Sequence, residues 1–264
     1  MQSVEIPNSE TCLGEIHRGE LGSFERASER EWLVTNGIGG FAAGTLADAN
    51  TRRYHGLLVA ALKPPLGRTV MLSKLDAVVG YLGRDYPLSS NEFGDGSIDP
   101  HGYLQIERFR LEAGLPVWEY AFSDALIEKR IMMPHGENKT LVRFRILRAS
   151  ADVRLTLRPL CTHRDYHSHA QGGWGFRTQA MDGGFRIDAF DGAQPYYILA
   201  SETPEIIASP GWYWRFRHRI EAERGLDETE DLYAPGTLGI DLADGGELTV
   251  AISTDPQAGT ATYE

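Results

Sequence analysis

Residues 153–158 have the sequence Val-Arg-Leu-Thr-Leu-Arg, in which apolar and polar side chains alternate at every position. Successive side chains of a β-strand point to opposite faces of a sheet, so this stretch predicts a strand with one buried face. Residues 142–146 repeat the pattern, with apolar side chains separated by arginines. Helical periodicity is scarce in the rest of the chain, which is therefore predicted to be all-β.

Glycine-rich turns separate the predicted strands. Asp182-Gly183-Gly184 is typical of a tight hairpin, because glycine adopts the positive φ that such a turn requires. Asp244-Gly245-Gly246 predicts a second hairpin for the same reason. The predicted strand pairs are 103–111 with 117–122, 174–180 with 185–190, and 238–242 with 247–253.

The segment 212–220 carries large side chains on both faces of a predicted strand, so we expect it to be covered on both sides. Trp212 and Trp214 share one face and are expected in the core, whereas Trp174 follows two glycines and is expected to be more exposed. Short helices are expected only at 24–32 and 221–232. The 264 residues are predicted to form one large antiparallel β-sandwich domain.

Composition narrows the function. The formal net charge is −11 and the isoelectric point is near 5.2, which argues against nucleic-acid binding and suits a neutral partner such as a polysaccharide. Cys12 and Cys161 match no metal-ligand spacing and are expected to be free thiols. No apolar run approaches a membrane helix, and residues 1–10 lack the order of a signal peptide, so a cytoplasmic location without membrane contact is expected.

Several blocks then occur in an order that marks a family. Residues 31–42 are Glu-Trp-Leu-Val-Thr-Asn-Gly-Ile-Gly-Gly-Phe-Ala, and residues 51–60 are Thr-Arg-Arg-Tyr-His-Gly-Leu-Leu-Val-Ala. The later blocks are Pro64–Arg68, Arg158–Leu160, Arg164–His167, Glu221–Asp227 and Glu230–Gly236. Together these blocks resemble the N-terminal domain of bacterial and archaeal glycogen-debranching enzymes, across nearly the whole chain.

This resemblance implies a β-supersandwich similar to galactose mutarotase and to the N-terminal domain of glucoamylases. In the resembled enzymes an (α/α)6 barrel follows and carries amylo-α-1,6-glucosidase activity, which removes the glucose left at a branch point. That helical catalytic domain is expected to be absent from these 264 residues. The expected partners are α-glucan and the barrel, and no cofactor is expected.

The block 51–60 contains the first candidate binding residues. Arg52 and Arg53 offer planar forks of donors to sugar hydroxyls or to a carboxylate, and His55 can donate to a hydroxyl or orient an acid. The alternative is structural: an arginine braces the loop, and His55 is a satisfied core histidine.

A second cluster follows the strand that begins at Val153. Arg164, Asp165 and His167 are expected on a polar loop at a sheet end, where binding residues are often placed. His163 and His169 flank them, but zinc is not favoured because no cysteine or third distant ligand is evident. Trp174 is the aromatic candidate for stacking on a glucose ring.

Carboxylates are abundant, so their presence alone indicates nothing about catalysis. Those in the family blocks, such as Glu221, Glu230 and Asp231, are expected to pair with arginines or cap loops.

Three functions remain open. The first is a non-catalytic domain of a debranching glycosidase that docks on the barrel. The second is a domain with its own sugar chemistry, mutarotase-like or glucan-transferring. The third is a stand-alone glycogen-binding module. Without the barrel, an exposed apolar patch is expected to favour a homodimer.

Overall fold

The computed structural model describes residues 12–256, and strands dominate it. The strands are β1 (Cys12–His17), β2 (Glu31–Thr35), β3 (Phe41–Thr45), β4 (Gly56–Lys63), β5 (Leu66–Tyr81), β6 (Arg84–Pro87), β7 (Ser90–Glu92), β8 (Ile98–His101), β9 (Ile106–Glu112), β10 (Leu115–Phe122), β11 (Ala125–Met132), β12 (Lys139–Arg148), β13 (Val153–Asp165), β14 (Arg177–Met181), β15 (Gly184–Asp188), β16 (Tyr196–Ala200), β17 (Glu205–Ile207), β18 (Gly211–Arg217), β19 (Thr229–Ala234), β20 (Thr237–Leu242) and β21 (Glu247–Ser253). The helices are α1 (Arg18–Leu21), α2 (Phe24–Glu29), α3 (Arg219–Glu223) and a 3-10 turn over Gly102–Gln105.

Two large sheets form the body of the fold. One has nine strands in the order β1-β9-β10-β11-β12-β21-β16-β15-β14. The other has ten, with β17-β20-β13-β5-β4-β3-β2 as its path and β6, β18 and β19 attached beside it. Neighbouring strands in both sheets run antiparallel, and β7 and β8 form a small separate pair. The predicted all-β fold, a large antiparallel sandwich, is confirmed.

Trp118 packs where the two sheets meet. Its side chain is fully buried, and its indole N–H donates to the carbonyl oxygen of Leu46 at 3.1 Å. The rings of Trp32, from the ten-stranded sheet, and Phe109, from the nine-stranded sheet, meet it at centroid distances of 5.6 and 5.1 Å. A buried tryptophan needs a partner for its N–H, and this arrangement supplies one while joining both sheets into one core.

Two of the three predicted hairpins are confirmed. Strands β9 and β10 pair through a turn at Ala113-Gly114, and β14 and β15 pair through Asp182-Gly183, where Gly183 has φ 81°. Strands β9 and β14 begin later than predicted, since residues 102–105 form the 3-10 turn and Trp174 precedes β14. Strand β10 begins two residues earlier than predicted.

The third predicted hairpin is wrong. Strand β20 pairs with β13 and β17 in the ten-stranded sheet, whereas β21 pairs with β12 and β16 in the nine-stranded sheet. The turn at Asp244-Gly245-Gly246 is therefore an arch that connects the sheets. Turn residues permit a reversal of direction, but they do not fix whether the next strand continues in the same sheet.

The predicted helices are confirmed only in part. Helix α2 begins after Ser23, whose hydroxyl accepts from the N–H of Arg26 as an N-cap, and it ends before β2. The short helix expected within 221–232 is confirmed only at its start: α3 ends at Glu223, and β19 begins at Thr229. Gly225, at φ 70°, lies outside helical geometry between them. No helix in residues 12–256 is long and apolar enough to span a membrane.

The expected burial of the tryptophan strand β18 is also wrong in part. Trp212 is partly buried against the core, but Trp214 is 52% exposed. A register shift between Tyr213 and Phe216 interrupts the alternation of faces, so spacing in the sequence no longer predicts which side chains are covered. Trp174, expected to be more exposed, is half-buried against the same core.

The glycine-rich block at 36–40 folds around Asn36. The side-chain oxygen of this buried residue accepts the N–H groups of Ile38 and Gly40 at 3.1 and 2.9 Å. Gly39 has φ 101°, and a Cβ added there would lie 2.5 Å from the carbonyl oxygen of Pro65. The family blocks 31–42 and 64–68 therefore pack directly against each other, which requires glycine at position 39.

Candidate functional site

An open, polar cavity of about 890 Å³ lies at the end of β13 and β19. The loop that follows β13, the loop between α3 and β19, and the edge strand β18 supply its walls. The lining residues are Arg53, His167, Ser168, His169, Gln171, Arg215, Leu226, Asp227, Glu228 and Thr229. Loops placed at the end of a rigid sheet are a common setting for binding sites.

Arg53 links two distant parts of the chain at this cavity. One terminal nitrogen donates to the carbonyl oxygen of His167 at 2.6 Å, and the other to a carboxylate oxygen of Glu221 at 2.9 Å. The Arg53 backbone N–H donates to the second Glu221 oxygen at 3.2 Å. Burial of Glu221 would raise its pKa, but the hydrogen bonds and charge of Arg53 outweigh burial, and the pKa is lowered.

Arg164 lies behind the cavity wall and is buried. Its Nε and Nη2 donate to the two carboxylate oxygens of Glu230 at 2.5 and 3.1 Å, a bidentate pair in which Glu230 has no exposed side-chain surface. Nη2 also donates to the carbonyl oxygen of Arg53 at 2.8 Å, so this ion pair supports the segment that carries Arg53. Glu230 thus pairs with an arginine, as expected for the carboxylates of the family blocks, but Arg164 lies within β13 rather than on the predicted loop.

The tight turn after β13 positions His167. The carboxylate of the exposed Asp165 accepts the backbone N–H of His167 at 2.9 Å, as aspartate does in Asx-turns. The ring Nδ1 of His167 lies 3.1 Å from the hydroxyl of Tyr54, the residue that follows Arg53 in the chain. Asp165 thus shapes the loop, while His167 faces the cavity.

His169, a second histidine on this loop, contacts a buried histidine behind the cavity. Nε2 of His169 lies 3.0 Å from Nδ1 of the buried His218, and Nε2 of His218 lies 3.7 Å from Glu230. Burial lowers the pKa of His169, and burial together with the charge of Arg164 lowers that of His218 well below its ordinary value. Burial thus favours the neutral form of both rings, in which one ring nitrogen donates its hydrogen to the other across the 3.0 Å contact.

Arg52 and His55 point away from the cavity and meet at Glu31. Nε of Arg52 donates to a Glu31 oxygen at 2.6 Å, and Nε2 of His55 lies 3.5 Å from the same oxygen. Nδ1 of the buried His55 accepts the backbone N–H of Thr51 at 3.1 Å, which leaves the ring proton on Nε2, facing Glu31. His55 is thus a satisfied histidine that closes the 51–55 turn.

Glu31 makes stability depend on pH. The interaction with His55, reinforced by Arg52 against the effect of burial, lowers the pKa of Glu31 from 4.5 to about 2. The stabilisation it provides is thus complete above pH 4.5 and is lost as the pH falls towards 2. We expect Glu31→Gln to lower the free energy of unfolding by at most about 1 kcal/mol at neutral pH, because the group is half-exposed, and by progressively less in acid.

Urea unfolding at several pH values measures this difference. Glu20→Gln is the control, because Glu20 is an exposed glutamate paired with Arg30 and with no histidine partner in the described structure. A Glu31→Gln penalty that stays constant from neutral pH to pH 3 would contradict the expectation.

The seven candidate residues divide into three groups. Arg53 and His167 line the cavity, and Arg164 and Asp165 hold the segments that carry them. Arg52 and His55 form their own cluster with Glu31, next to Arg53 in sequence but outside the lining. Trp174 lies elsewhere, with its ring 5.3 Å from that of Trp212.

Several cavity residues escape prediction from the sequence. Gln171, Arg215 and Glu228 lie in segments without a recognisable motif, and only the folding of β18 beside the loop after β13 brings them together. The strand predicted over 212–220 would place His218 on a sheet face, whereas it lies just after β18 at the start of α3. The His-Ser-His sequence at 167–169 is the only signal for His169.

The described residues contain few groups that could bind a metal ion or act as a nucleophile. Within residues 12–256, no three His, Cys, Asp or Glu side chains are arranged to hold a metal ion. Cys161 is a free, buried thiol, and burial raises its pKa to about 12, so it is not a thiolate at neutral pH. The side chain of Cys12 lies outside the described residues.

The architecture defines a class of protein: a large antiparallel β-sandwich with an open polar cavity built by loops at one sheet end. A family model described as "Glycogen debranching enzyme N terminal" matches residues 30–249. The chain belongs to this family, which confirms the resemblance carried by the sequence blocks.

The other comparisons with known proteins provide less information about this chain. Among solved structures, a bacterial glucoamylase complexed with acarbose is similar at a TM-score of 0.39 and 9% sequence identity. The match covers 96% of this chain and 35% of the glucoamylase chain, so this chain spans about a third of that protein's length. No curated protein matches the chain.

Proposed function

We propose that this chain is the non-catalytic N-terminal domain of a cytoplasmic glycogen-debranching α-1,6-glucosidase. It docks on a helical catalytic barrel and shapes the cleft for α-glucan. The observation that carries the proposal is the convergence of Arg53 and His167 on a polar cavity beside two buried, arginine-bound carboxylates. Family membership supplies the reaction to which the domain contributes.

The chemistry of the cavity suits a neutral, hydroxyl-rich ligand. Its lining combines the cations Arg53 and Arg215 with the anions Asp227 and Glu228, beside amide, hydroxyl and imidazole groups. Such a mixture supplies both donors and acceptors, as sugar hydroxyls require. A phosphate-rich ligand would instead need a surplus of cations, which neither the cavity nor the net charge of −11 offers.

The carboxylates near the cavity support a non-catalytic role. Glycoside hydrolysis needs a second carboxyl group whose pKa is raised, so that it can protonate the leaving oxygen. Arg53 keeps the pKa of Glu221 lowered, and Arg164 occupies both oxygens of Glu230. Neither of these two carboxylates lines the cavity. Of the two acids that do, Glu228 accepts from Nε of Arg217 at 2.7 Å, and Asp227 is exposed to solvent.

A domain with its own sugar chemistry is less well supported. A mutarotase-like reaction would need a histidine and a carboxylate that face the same sugar. His55 faces Glu31, but neither residue lines the cavity. His167 lines the cavity together with Asp227 and Glu228, but its ring contacts Tyr54, and Glu228 is paired with Arg217. The stand-alone binding module remains a variant of the same proposal, because it uses the same cavity without a barrel.

The docking part of the proposal is supported by an apolar groove elsewhere on the ten-stranded sheet. Leu33, Phe41 and the glycines of the 36–40 turn line a shallow groove of about 410 Å³. Leu33 is 59% exposed and Leu66, on the neighbouring hairpin, 71%. These residues belong to the blocks that define the family, so we propose this face for the barrel and, without it, for a homodimer.

His167→Ala tests the binding role. We expect this change to weaken binding of a branched limit dextrin roughly two- to tenfold, because it removes one hydrogen-bonding group from the cavity and leaves the buried ion pairs intact. Isothermal titration calorimetry on the 264-residue chain measures the affinity, and thermal unfolding checks the fold.

The control is His17→Ala, because His17 is an exposed histidine on β1, in the other sheet. It should bind like the wild type. The proposal fails if the wild-type chain binds no limit dextrin, or if His167→Ala and His17→Ala bind equally well.

A further inference from the structure

Trp214 is an exposed residue next in the chain to a residue that lines the polar cavity. Gln171 and Arg215 line the cavity, and their chain neighbours Gly172 and Trp214 touch each other. A Cβ added to Gly172 would lie 2.7 Å from the Trp214 ring and 2.7 Å from that of Trp212. The ring is therefore one residue away from the lining along both segments.

The backbone is strained at this point. Arg215 has φ 62°, a left-handed conformation that is uncommon for a residue other than glycine. The register shift between Tyr213 and Phe216 occurs across it, and a bulge of this kind re-aims a side chain. Phe216 is buried at 6% exposure, whereas Trp214 is 52% exposed, so the bulge coincides with the most exposed aromatic side chain of this strand.

Asp231 holds the strained segment in place. One of its carboxylate oxygens accepts the N–H of Arg215 at 2.8 Å, and the other accepts the N–H of Gly172 at 2.9 Å. The carbonyl oxygen of Arg215 accepts the N–H of Gly94 at 2.8 Å. Strained residues that the surroundings fix in this way are concentrated at functional sites, because the fold otherwise gains nothing from them.

A cluster of aromatic rings packs behind Trp214 and supports its side chain. Trp212 lies 6.1 Å from Trp214 and 5.3 Å from Trp174, and Phe176 stacks on Tyr233 at 4.8 Å below them. A fixed, half-exposed indole beside polar groups of both signs suits a ligand with an apolar face and hydroxyl edges. A glucose ring has this chemistry, whereas an apolar protein surface would leave Arg215 and the cavity acids unpaired.

We infer that Trp214 is a stacking platform for one glucosyl residue of an α-1,4-linked glucan chain whose neighbouring residues enter the cavity. The inference rests on the proposed function, because it assigns a subsite to the same cavity. Trp214 supplies the apolar contact, and Gln171 and Arg215 are the nearest lining groups that can bond to the hydroxyls of the next residue.

Titration of the 264-residue chain with maltoheptaose, an unbranched α-1,4-glucan, tests the subsite. Trp214→Ala is expected to weaken binding about tenfold, which corresponds to about 1.4 kcal/mol, and Trp214→Phe is expected to restore part of it. Gly172→Ala should also weaken binding, because its new methyl group displaces the ring without removing a polar group. Leu104→Ala, at an exposed apolar side chain (47%) on the 3-10 turn, is the control and should bind like the wild type.

The outcomes separate the two proposals. Equal affinity of Trp214→Ala and the wild type overturns the platform, and the proposed function stands if His167→Ala still weakens binding. A wild-type chain that binds neither maltoheptaose nor limit dextrin overturns both. If Trp214→Ala abolishes a dimer seen by sedimentation but leaves maltoheptaose affinity unchanged, the occupant of the platform is a second copy of the chain, and the inference is wrong.

Discussion

Glu230→Ala is expected to lower the free energy of unfolding by about 3–5 kcal/mol. The side chain of Glu230 has no exposed surface, and that of Arg164 is 4% exposed, so the variant leaves a buried guanidinium without its counter-ion. Water cannot solvate that charge without local opening of the sheet end. Because Arg164 also donates to the carbonyl oxygen of Arg53, the cavity wall should loosen as well.

Urea unfolding followed by circular dichroism measures the loss. Arg177→Ala is the matched control, because the Arg177–Asp191 pair is equally short at 2.6 Å but lies at 61% and 90% exposure. The control should cost less than about 1 kcal/mol, as exposed ion pairs do. Replacing Arg164 and Glu230 together by apolar residues should cost less than Glu230→Ala alone. A Glu230→Ala penalty below that of Arg177→Ala would contradict the role given to this pair.

The second large effect is an absence of hydrolysis. The 264-residue chain should release no glucose from a branched limit dextrin above the rate in buffer, whereas glycosidases accelerate such reactions by at least about a millionfold. The physical reason is the lack of a suitable proton donor: Glu221 has a lowered pKa beside Arg53, and Arg164 binds both oxygens of Glu230. Of the acids that line the cavity, Glu228 is paired with Arg217, and Asp227 is exposed to solvent rather than held in a buried pocket. An enzyme-coupled glucose assay over a day detects even weak turnover.

The strands of this fold were largely predictable because alternation is a local property. The patterns at 142–146 and 153–158 lie within β12 and β13, where apolar positions are buried and their polar neighbours less so. The turn at Asp182-Gly183 likewise depends only on the residues in it. These features require no knowledge of distant parts of the chain.

Features that depend on distant partners were not predictable. Glycines 245 and 246 permit both a hairpin and an arch, and the choice depends on which sheet accepts β21. The exposure of Trp214 depends on a bulge that Asp231 stabilises from another strand. Local propensity contains neither kind of information.

In the candidate site, too, local features could be predicted from the sequence and contacts between distant residues could not. The blocks containing Arg53 and Arg164 were recognisable, but the contact from Arg53 to Glu221 joins residues 168 positions apart, and that from Arg164 to Glu230 joins residues 66 apart. The sequence therefore predicted which segments contribute residues to the candidate site, but not how these segments contact each other. His55 shows the converse error, since its position beside Arg53 in sequence suggested a shared site, whereas its ring turns to Glu31.

Binding without cleavage is the central claim, and one sample measures both. The pure chain is mixed with limit dextrin, bound carbohydrate is determined by equilibrium dialysis, and free glucose is followed in the same vessel. We expect saturable binding that His167→Ala weakens, with glucose at the level of the protein-free control. Glucose release that Glu221→Gln or Glu230→Gln abolishes, while both variants remain folded, would show that these carboxylates catalyse hydrolysis and would contradict the account.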